Sequence, residues 1–310
     1  KKVSVAGRVM SLRKMGKAAF ANIQDAHGRV QLYIARDDVG EDNYSLFKLV
    51  DIGDFIGIDG VVFITKTDEL TVKAENVTML SKNLRPIPDV KEKDGEKYNS
   101  VSDKELRYRK RYLDMIINPE TKDNYIKRFK IINSIREFLN KNGYIEVETP
   151  VLQPVYGGAN AKPFKTFHHA LDQEFFLRIA TELYLKQLIV GGFEKVYEMS
   201  KDFRNEGIDR SHNPEFTMLE FYQAYADYNF MMDFVEEMFK KVATDLGVKK
   251  ISWDGNNIDL SKKFARRTMD ELIKEHTGHS IDLTDSKAVF DVCKKLDLKV
   301  KKTDSLAEMI

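Results

Sequence analysis

The stretch that decides the fold is Phe203–Phe216, which reads Phe-Arg-Asn-Glu-Gly-Ile-Asp-Arg-Ser-His-Asn-Pro-Glu-Phe. It continues into Thr217–Tyr222, with the sequence Thr-Met-Leu-Glu-Phe-Tyr. An apolar strand enters the polar segment, Gly207 and Pro214 favour turns, and a second strand leaves it. The pattern predicts a β-hairpin whose tip presents arginine, histidine and asparagine donors to an anionic ligand.

The side chains of this hairpin predict a site with a basic and an acidic part. Arg204 ends the entering strand and is suited to bidentate binding of a carboxylate or phosphate, and Phe216 is suited to stacking on a flat base. Glu220 and Tyr222 are two residues apart on a strand, so they share one face. A carboxylate beside a phenol favours an ammonium ion. The alternative, a surface hairpin with incidental charges, is disfavoured by the apolar residues around it.

Two segments before the hairpin carry further candidates. The loop Pro154–Phe164 contains Gly157 and Gly158, and glycines let the backbone approach a ligand, although an isolated pair of this kind is more often a turn. Glu182 lies where a strand passes into a helix. It is either a ligand for an ammonium ion or a first-turn residue favoured by the helix dipole.

The first eighty residues predict a small β-barrel. Apolar and alternating runs indicate five or six strands, with one short helix, Tyr44–Val50, between the third and the fourth. The predicted strands are Val3–Met10, Phe20–Gln24, Val30–Ile34, Phe55–Ile64, Leu70–Ala74 and Val77–Leu80. This order is typical of a Greek-key barrel of the OB type, and an unrelated small barrel is the alternative.

The composition changes after the barrel. Residues 81–104 contain Pro86, Pro88 and many charges, which predicts a linker. The run Glu105–Asp114 interleaves basic residues with tyrosines and is either a solvated helix face or a hinge that contacts phosphates. Helical spacing from residue 119 predicts an amphipathic helix that ends at Asn142–Gly143. Further strands are predicted at Tyr144–Thr149, Phe175–Ile179, Lys195–Met199 and Thr217–Tyr222, and helices at Glu182–Ile189 and Phe230–Leu246.

Composition narrows the class of protein. The 310 residues suggest about two domains, and 42% hydrophobic with 32% charged residues suits a folded, globular chain without a membrane span. The formal charge of +1 means that any nucleic-acid binding relies on local basic patches. Cys293 is the only cysteine, which excludes an intramolecular disulfide and a cysteine-based zinc cluster and is consistent with the cytosol.

Together these segments resemble class II aminoacyl-tRNA synthetases, and among them the lysyl-tRNA synthetases with an N-terminal OB-fold. The dimer-interface motif of the family matches Phe129–Pro150, and its ATP-binding hairpin motif matches Phe203–Tyr222. The sister aspartate and asparagine enzymes lack Asn-Glu-Gly and His-Asn-Pro-Glu-Phe in this hairpin. The resemblance implies an α+β multidomain protein. Its expected parts are an OB-fold anticodon-binding β-barrel at 1–82, a linker or hinge at 83–115, and a class II catalytic domain of antiparallel sheet and helices at 116–310, incomplete at its C-terminus.

The resemblance also implies the chemistry. It indicates a cytoplasmic, homodimeric ligase, without membrane contact, that joins L-lysine to tRNA(Lys) through a lysyl-adenylate, using ATP with Mg²⁺. Arg204 is the implied catalytic residue. The implied ATP-binding residues are Arg204, Asn205, Glu206, His212, Asn213 and Phe216. The implied lysine-binding residues are Gly158, Glu182, Arg204, Glu220 and Tyr222. The implied anticodon-binding residues are Arg13, Phe20, Gln31 and Glu69, where Phe20 also fits a barrel-core position.

Several features depart from the family pattern. Its third motif and its acidic Mg²⁺ ligands are not found before Ile310, so we expect a fragment of a longer enzyme, inactive by itself and without a metal site of its own. Thr181 stands where the family often has proline, and Ser211 where many bacterial members have arginine, with Arg210 as the candidate replacement.

Two other functions are open to a chain of this shape. A paralogue that lysylates a protein is disfavoured by the N-terminal barrel, since relatives of that kind lack it. A non-catalytic RNA-binding scaffold is disfavoured by the ammonium pocket, which a scaffold does not need.

Overall fold

The computed structural model describes residues 1–87, 90–93, 96–99, 104–301 and 303–309, and for 90–93 and 96–99 the backbone only. Parts of the predicted linker (88–89, 94–95 and 100–103) and Ile310 lie outside the described residues. The chain forms two compact units, Lys1–Tyr125 and Ile126–Ile310, and each is described by itself.

The first unit contains a closed five-stranded barrel, which confirms the predicted OB-type fold. Its strands are β1 (Lys2–Met15), β2 (Ala18–Gln24), β3 (Arg29–Ala35), β4 (Phe55–Ile64) and β5 (Leu70–Ser81). They close in the order β1-β2-β3-β5-β4, and two short helices, α1 (Arg36–Val39) and α2 (Glu41–Lys48), connect β3 to β4. The prediction of two strands at 70–74 and 77–80 is wrong. They are one strand with a bulge, because Asp59 pairs with Asn76 and Gly60 with Ala74, which leaves Glu75 unmatched.

Successive side chains of each strand point alternately into and out of the barrel, and this alternation decides which of them fill its interior. On β2, Ala19, Ala21 and Ile23 are buried, whereas the residues between them are partly exposed. Phe20 therefore points outward, and the barrel-core alternative for it is wrong. The interior behind it is apolar, with fully buried side chains such as Leu32.

Two short helices follow the linker, α3 (Lys104–Arg109) and α4 (Arg111–Ile117), and the linker itself contains a backbone hairpin of β6 (Val90–Lys93) and β7 (Glu96–Asn99). The basic run is ordered by the fully buried Asp114, which accepts hydrogen bonds from Arg107 Nε at 2.8 Å and Asn118 Nδ2 at 2.6 Å. Burial opposes ionisation of Asp114, but these donors outweigh it and hold its pKa below the usual range.

The second unit is built from small sheets and helices, which agrees with the predicted α+β class. Its helices are α5 (Pro119–Lys141, which begins before the division), α6 (Glu182–Val190), α7 (Tyr228–Asp245), α8 (Met269–Thr277), α9 (Ser286–Lys295) and α10 (Leu306–Met309). Its strands are β8 (Ile145–Glu146), β9 (Leu152–Gln153), β10 (Lys165–His168), β11 (Gln173–Leu177), β12 (Lys195–Phe203), β13 (Glu215–Gln223), β14 (Lys250–Trp253) and β15 (Asn256–Asp259). The sheets run β13-β12-β8, β10-β11-β9 and β14-β15. The predicted antiparallel sheet is mixed, since β8 lies parallel to β12.

The hairpin β12–β13 divides its side chains between a core face and a site face. On the core face, Tyr197 and Phe221 pack with Phe138 of α5 and Phe234 of α7. The N-terminal half of α5 differs from the predicted buried stripe, because Phe129 is 56% exposed. No helix among the described residues is both long enough and apolar enough for a membrane span.

Candidate functional site

The site face of the β12–β13 hairpin gathers the acidic and aromatic candidates. Asp202 stands opposite Phe216, and Glu198 stands opposite Glu220, so all four side chains share one face with Tyr222. The hairpin is closed above them by a hydrogen bond from Arg204 N to Pro214 O at 2.9 Å. Alternation along two paired strands thus places the predicted residues Phe216, Glu220 and Tyr222 on one face with Glu198 and Asp202, which were not predicted.

A pocket of about 380 Å³ lies at the hairpin tip. Its lining includes five of the six predicted ATP-binding residues: Arg204, Glu206, His212, Asn213 and Phe216. Arg210 and Ser211 line it as well. The Arg204 guanidinium carbon lies 5.1 Å from the centre of the Phe216 ring, which orients the cation over the aromatic face. The sixth residue, Asn205, is not in the lining. Its backbone N–H donates to Lys162 O at 2.7 Å and fastens the hairpin to the Pro154–Phe164 loop.

Asp209 orders the tip of the hairpin, although the sequence analysis assigned it no role. Its carboxylate accepts hydrogen bonds from the backbone N–H groups of Ser211 at 2.7 Å and His212 at 2.8 Å, and lies 2.8 Å from His212 Nδ1. These contacts, the Ser211 hydrogen bond first, hold the pKa of Asp209 below its usual range. An aspartate two and three residues before the groups it caps is a local signal that could have been recognised.

The predicted lysine-binding residues converge on the N-terminus of α6. Glu220 accepts hydrogen bonds from Thr181 N at 3.2 Å and from the Tyr222 hydroxyl at 3.0 Å. Burial, and then the Glu220 charge, raise the pKa of Tyr222, so the phenol stays a neutral donor. Glu182 pairs with Lys186 Nζ at 2.5 Å. Lys186 offsets the charge of Glu182, whereas Glu220 forms no ion pair with a cation of the described residues.

Gly158 lies directly against these acceptors. A Cβ atom at this position would be 2.8 Å from the Glu182 Cβ and 3.1 Å from the Ala180 Cβ. The φ angle of Gly158 is +86°, a value that favours glycine. The close approach therefore depends on the missing side chain, which supports a role beyond an ordinary turn.

The link between the two halves of the site is Arg204. Its Nε and Nη2 both lie 3.5 Å from Ile179 O, two residues before the Thr181 N–H that binds Glu220. The tip pocket itself is not lined by Glu182, Glu220 or Tyr222. Arg204 thus borders the tip pocket and also reaches the strand end that leads into α6.

A buried charge cluster that the sequence analysis did not identify lies on the same face. Arg178, 3% exposed, pairs with Glu198 at 2.6 Å and donates from Nε to Lys201 O at 2.9 Å. Asp202 lies 3.3 Å from Arg178 Nε, but neither of its oxygens has a hydrogen-bond partner among the described residues. Burial raises the pKa of Asp202 to about 6. Residues 198, 202 and 204 are separated by even numbers of positions, so strand alternation predicts that their side chains share one face. This was the signal in the sequence that could have indicated the cluster.

Metal ligation finds no support in the described residues. They contain no group of three or more histidine, cysteine, aspartate or glutamate side chains that converge to hold a metal ion. The acidic residues near Arg204 instead pair with arginine, lysine, tyrosine and backbone N–H groups.

The barrel carries a second candidate site. A pocket of about 750 Å³ on the barrel is lined by all four predicted anticodon-binding residues, Arg13, Phe20, Gln31 and Glu69, together with Tyr33 and Phe63. The rings of Phe20 and Tyr33 are 5.1 Å apart, and those of Tyr33 and Phe63 are 6.4 Å apart. Gln31 donates to Thr71 Oγ1 at 3.2 Å. Aromatic faces beside amide and carboxylate groups are suited to stacking on bases and reading their edges.

Comparison with known proteins identifies two family matches. Residues 103–304 match the tRNA synthetases class II (D, K and N), and residues 3–80 match the OB-fold nucleic acid binding domain. The chain is 51% identical over 317 residues to a lysine–tRNA ligase of Porphyromonas gingivalis, which covers all of this chain and 55% of the relative. It is 50% identical over 313 residues to a lysine–tRNA ligase of Thermoanaerobacter pseudethanolicus, covering all of this chain and 61% of that relative. The chain therefore spans little more than half the length of the curated relatives it matches.

Proposed function

Because the chain belongs to the class II tRNA synthetases of the D, K and N group, we propose that it acts as a lysine–tRNA ligase. The observation that carries the proposal is that Arg204 lines the tip pocket and also reaches Ile179 O, two residues before the Thr181 N–H that Glu220 binds. Relatives at about 50% identity that are lysine–tRNA ligases support the choice of lysine.

In the proposed first step, a lysine carboxylate oxygen forms a bond to the α-phosphorus of ATP, and the bond from that phosphorus to the pyrophosphate oxygen breaks. The reaction joins two anions, so it needs charge neutralisation and alignment more than a strong base. Arg204 supplies a fixed cation between them, and Phe216 stacks on the adenine. Glu206, His212 and Asn213 line the remaining walls for the nucleotide. In the second step, a hydroxyl oxygen of the 3′-terminal ribose of the tRNA forms a bond to the lysyl carbonyl carbon, and the bond from that carbon to the phosphate oxygen breaks, which releases AMP.

Charge provides the proposed selectivity for lysine. Glu220, held by Thr181 N and Tyr222, accepts from the side-chain ammonium, and Gly158 and Glu182 hold the α-amino group. When the side chain of a ligand lacks the ammonium, Glu220 faces that ligand without a counter-charge. The binding energy must then offset the cost of this unpaired carboxylate. Packing alone would distinguish side chains that differ by one methylene by only ~1–3 kcal/mol.

The barrel pocket is the proposed anticodon site for tRNA(Lys). Phe20 offers a stacking face, Gln31 and Glu69 offer groups that read base edges, and Arg13 offers a phosphate contact. The outward direction of Phe20 supports this assignment, since a core residue would be inaccessible.

The remaining features of the proposal concern assembly and cofactors. We propose a cytosolic homodimer formed through Phe129–Pro150, and the exposure of Phe129 and of Ile145 (51%) supports an interface there. We propose that Mg²⁺ takes part as the cation of the MgATP substrate.

Lysine-dependent exchange of pyrophosphate into ATP by the intact protein tests the proposal. We expect Arg204→Ala to lower the exchange rate by about 100-fold or more, because it removes the charge that stabilises the reacting phosphate. Lys201→Ala, an exposed cation on the opposite face of the same hairpin, is the matched control and should exchange normally. Exchange that does not require lysine, or that survives Arg204→Ala, would falsify the proposal.

A further inference from the structure

The hairpin β14–β15 is an exposed two-stranded ribbon. A two-residue turn joins its strands, with positive φ angles at Asp254 (48°) and Gly255 (77°), as two-residue hairpin turns require. Residues 249–258 are all exposed. Neither face of the ribbon is therefore fully covered within this chain.

One face of the ribbon is apolar. Ile251 and Trp253 alternate on β14, and Ile258 stands opposite Ile251 on β15. Trp253 is 73% exposed, Ile251 40% and Ile258 42%. Trp253 is also the only tryptophan of the 310 residues. A contiguous exposed patch with a large aromatic residue at its end indicates a binding surface.

Four lysines lie in the ribbon or next to it in the sequence. Lys249 precedes β14, and Lys250 is its first residue, on the face opposite Ile251. Leu260 N donates to Lys249 O at 2.9 Å, which keeps the start of the segment that leads to Lys262 and Lys263 beside the ribbon. None of the four forms an ion pair with a carboxylate of the described chain, in contrast to the paired Lys240 and Lys241 of α7.

The acidic residues nearby compensate only in part. Asp259 stands opposite Lys250, and hydrogen bonds from Ser261 hold its pKa below the usual range, with smaller contributions from Lys250 and Lys262. Asp254 lies in the turn. Four lysines against two aspartates leave the ribbon positively charged.

We propose that the apolar face Ile251, Trp253 and Ile258, with these four lysines, binds a single-stranded segment of the RNA substrate. Trp253 stacks on an unpaired base, the isoleucines pack against the neighbouring nucleotide, and the lysines contact phosphates. A polyanion satisfies the unpaired charges, whereas a second copy of the ribbon would bring lysines against lysines. Duplex RNA keeps its base faces stacked and offers nothing to Trp253. The inference rests on the proposed function, because that function makes tRNA the RNA substrate.

Binding of fluorescein-labelled tRNA and of a short single-stranded RNA by the intact protein tests the inference. We expect Trp253→Ala to weaken both by about fivefold or more, the lower limit for loss of one base–aromatic stack, and Trp253→Phe to weaken them less. Phe167→Ala removes another exposed aromatic side chain of the same unit and should change neither affinity. The double variant Lys262→Gln/Lys263→Gln should lower the slope of log Kd against log salt by about 1.4, or ~0.7 per phosphate contact.

Three results would overturn the inference. One is an unchanged affinity in Trp253→Ala. A second is competition by poly-L-glutamate as effective as competition by single-stranded RNA, which would indicate an acidic protein partner. The third is Trp253 fluorescence that acrylamide does not quench in the RNA-free protein, since this would mean that the protein covers the face. For this measurement, any other tryptophan of the intact protein is replaced by phenylalanine. Lysine-dependent pyrophosphate exchange needs no RNA, so it should persist in Trp253→Ala, and its absence in the unmodified protein would count against the proposed function instead.

Discussion

The barrel and the β12–β13 hairpin support their candidate sites in opposite ways. In the barrel, residues such as Phe20 lie on the outside of strands whose inner face is apolar and fully buried. In the hairpin, the site face itself carries buried charges, because Glu198, opposite Glu220, and Asp202 are buried with Arg178. The barrel pocket is therefore separate from the apolar core, whereas the hairpin site adjoins a buried cluster of charges.

This difference predicts how function and stability are coupled in each region. A side chain of the barrel pocket can change without disturbing buried groups, so binding should respond more than folding does. A residue of the hairpin site face shares hydrogen bonds and charges with its neighbours, so a change there should alter folding as well. Three substitutions examine this contrast through the free energy of unfolding.

The largest effect is expected for Glu198→Gln. It removes the charge that pairs with the buried Arg178 at 2.6 Å, and leaving a buried cation without this partner costs about 3–5 kcal/mol. Calorimetric unfolding of the whole chain, resolved into transitions, measures the loss. A change below about 1 kcal/mol would mean that Asp202 replaces Glu198 as the partner of Arg178, and the contrast with the barrel would weaken.

Asp202→Asn should raise the free energy of unfolding at neutral pH, which is the opposite of the change expected for Glu198→Gln. The pKa of Asp202 is raised from 3.8 to about 6, so its contribution to stability is complete below pH 3.8 and is lost as the pH rises through about 6. Removing the charge should therefore stabilise the protein by about 1–3 kcal/mol at pH 7.5, and this gain should disappear near pH 3.8.

The pH dependence separates this electrostatic effect from a change in packing. Urea denaturation of the unmodified protein and of Asp202→Asn across pH 4–7.5 gives the difference in their free energies of unfolding at each pH. A difference that does not vary with pH would contradict the assigned cause, since a packing change does not titrate. Glu198→Gln, measured in the same series, provides the control on the same strand.

The smallest effect on folding is expected for Phe20→Ala. This side chain lies outside the barrel, so its loss should cost less than about 1 kcal/mol of unfolding free energy, while tRNA binding weakens by about 1–3 kcal/mol. Leu32→Ala, on the adjacent strand but fully buried, is the matched control and should cost about 2–5 kcal/mol. Equal losses of stability in the two variants would remove the distinction between pocket and core.

Sequence patterns were most informative where local periodicity sets the structure. The alternation at 203–222 predicted the hairpin and the shared face of Glu220 and Tyr222, and the structure confirms both. Alternation failed at Glu75, where a single unmatched residue looked like a break between two strands. It also could not choose between an inward and an outward Phe20, because that choice depends on the register with neighbouring strands.

The sequence by itself determined the barrel, the polar hairpin and the shared face of Glu220 and Tyr222. Only the tertiary structure decided that Asn205 fastens the hairpin through its backbone, that Asp209 orders the tip, and that Arg178 lies buried between two carboxylates. The physical reason is the distance along the chain over which each effect acts. Strand periodicity and turn preference arise within a few residues, whereas burial and charge pairing depend on groups far apart in the chain that only folding brings together.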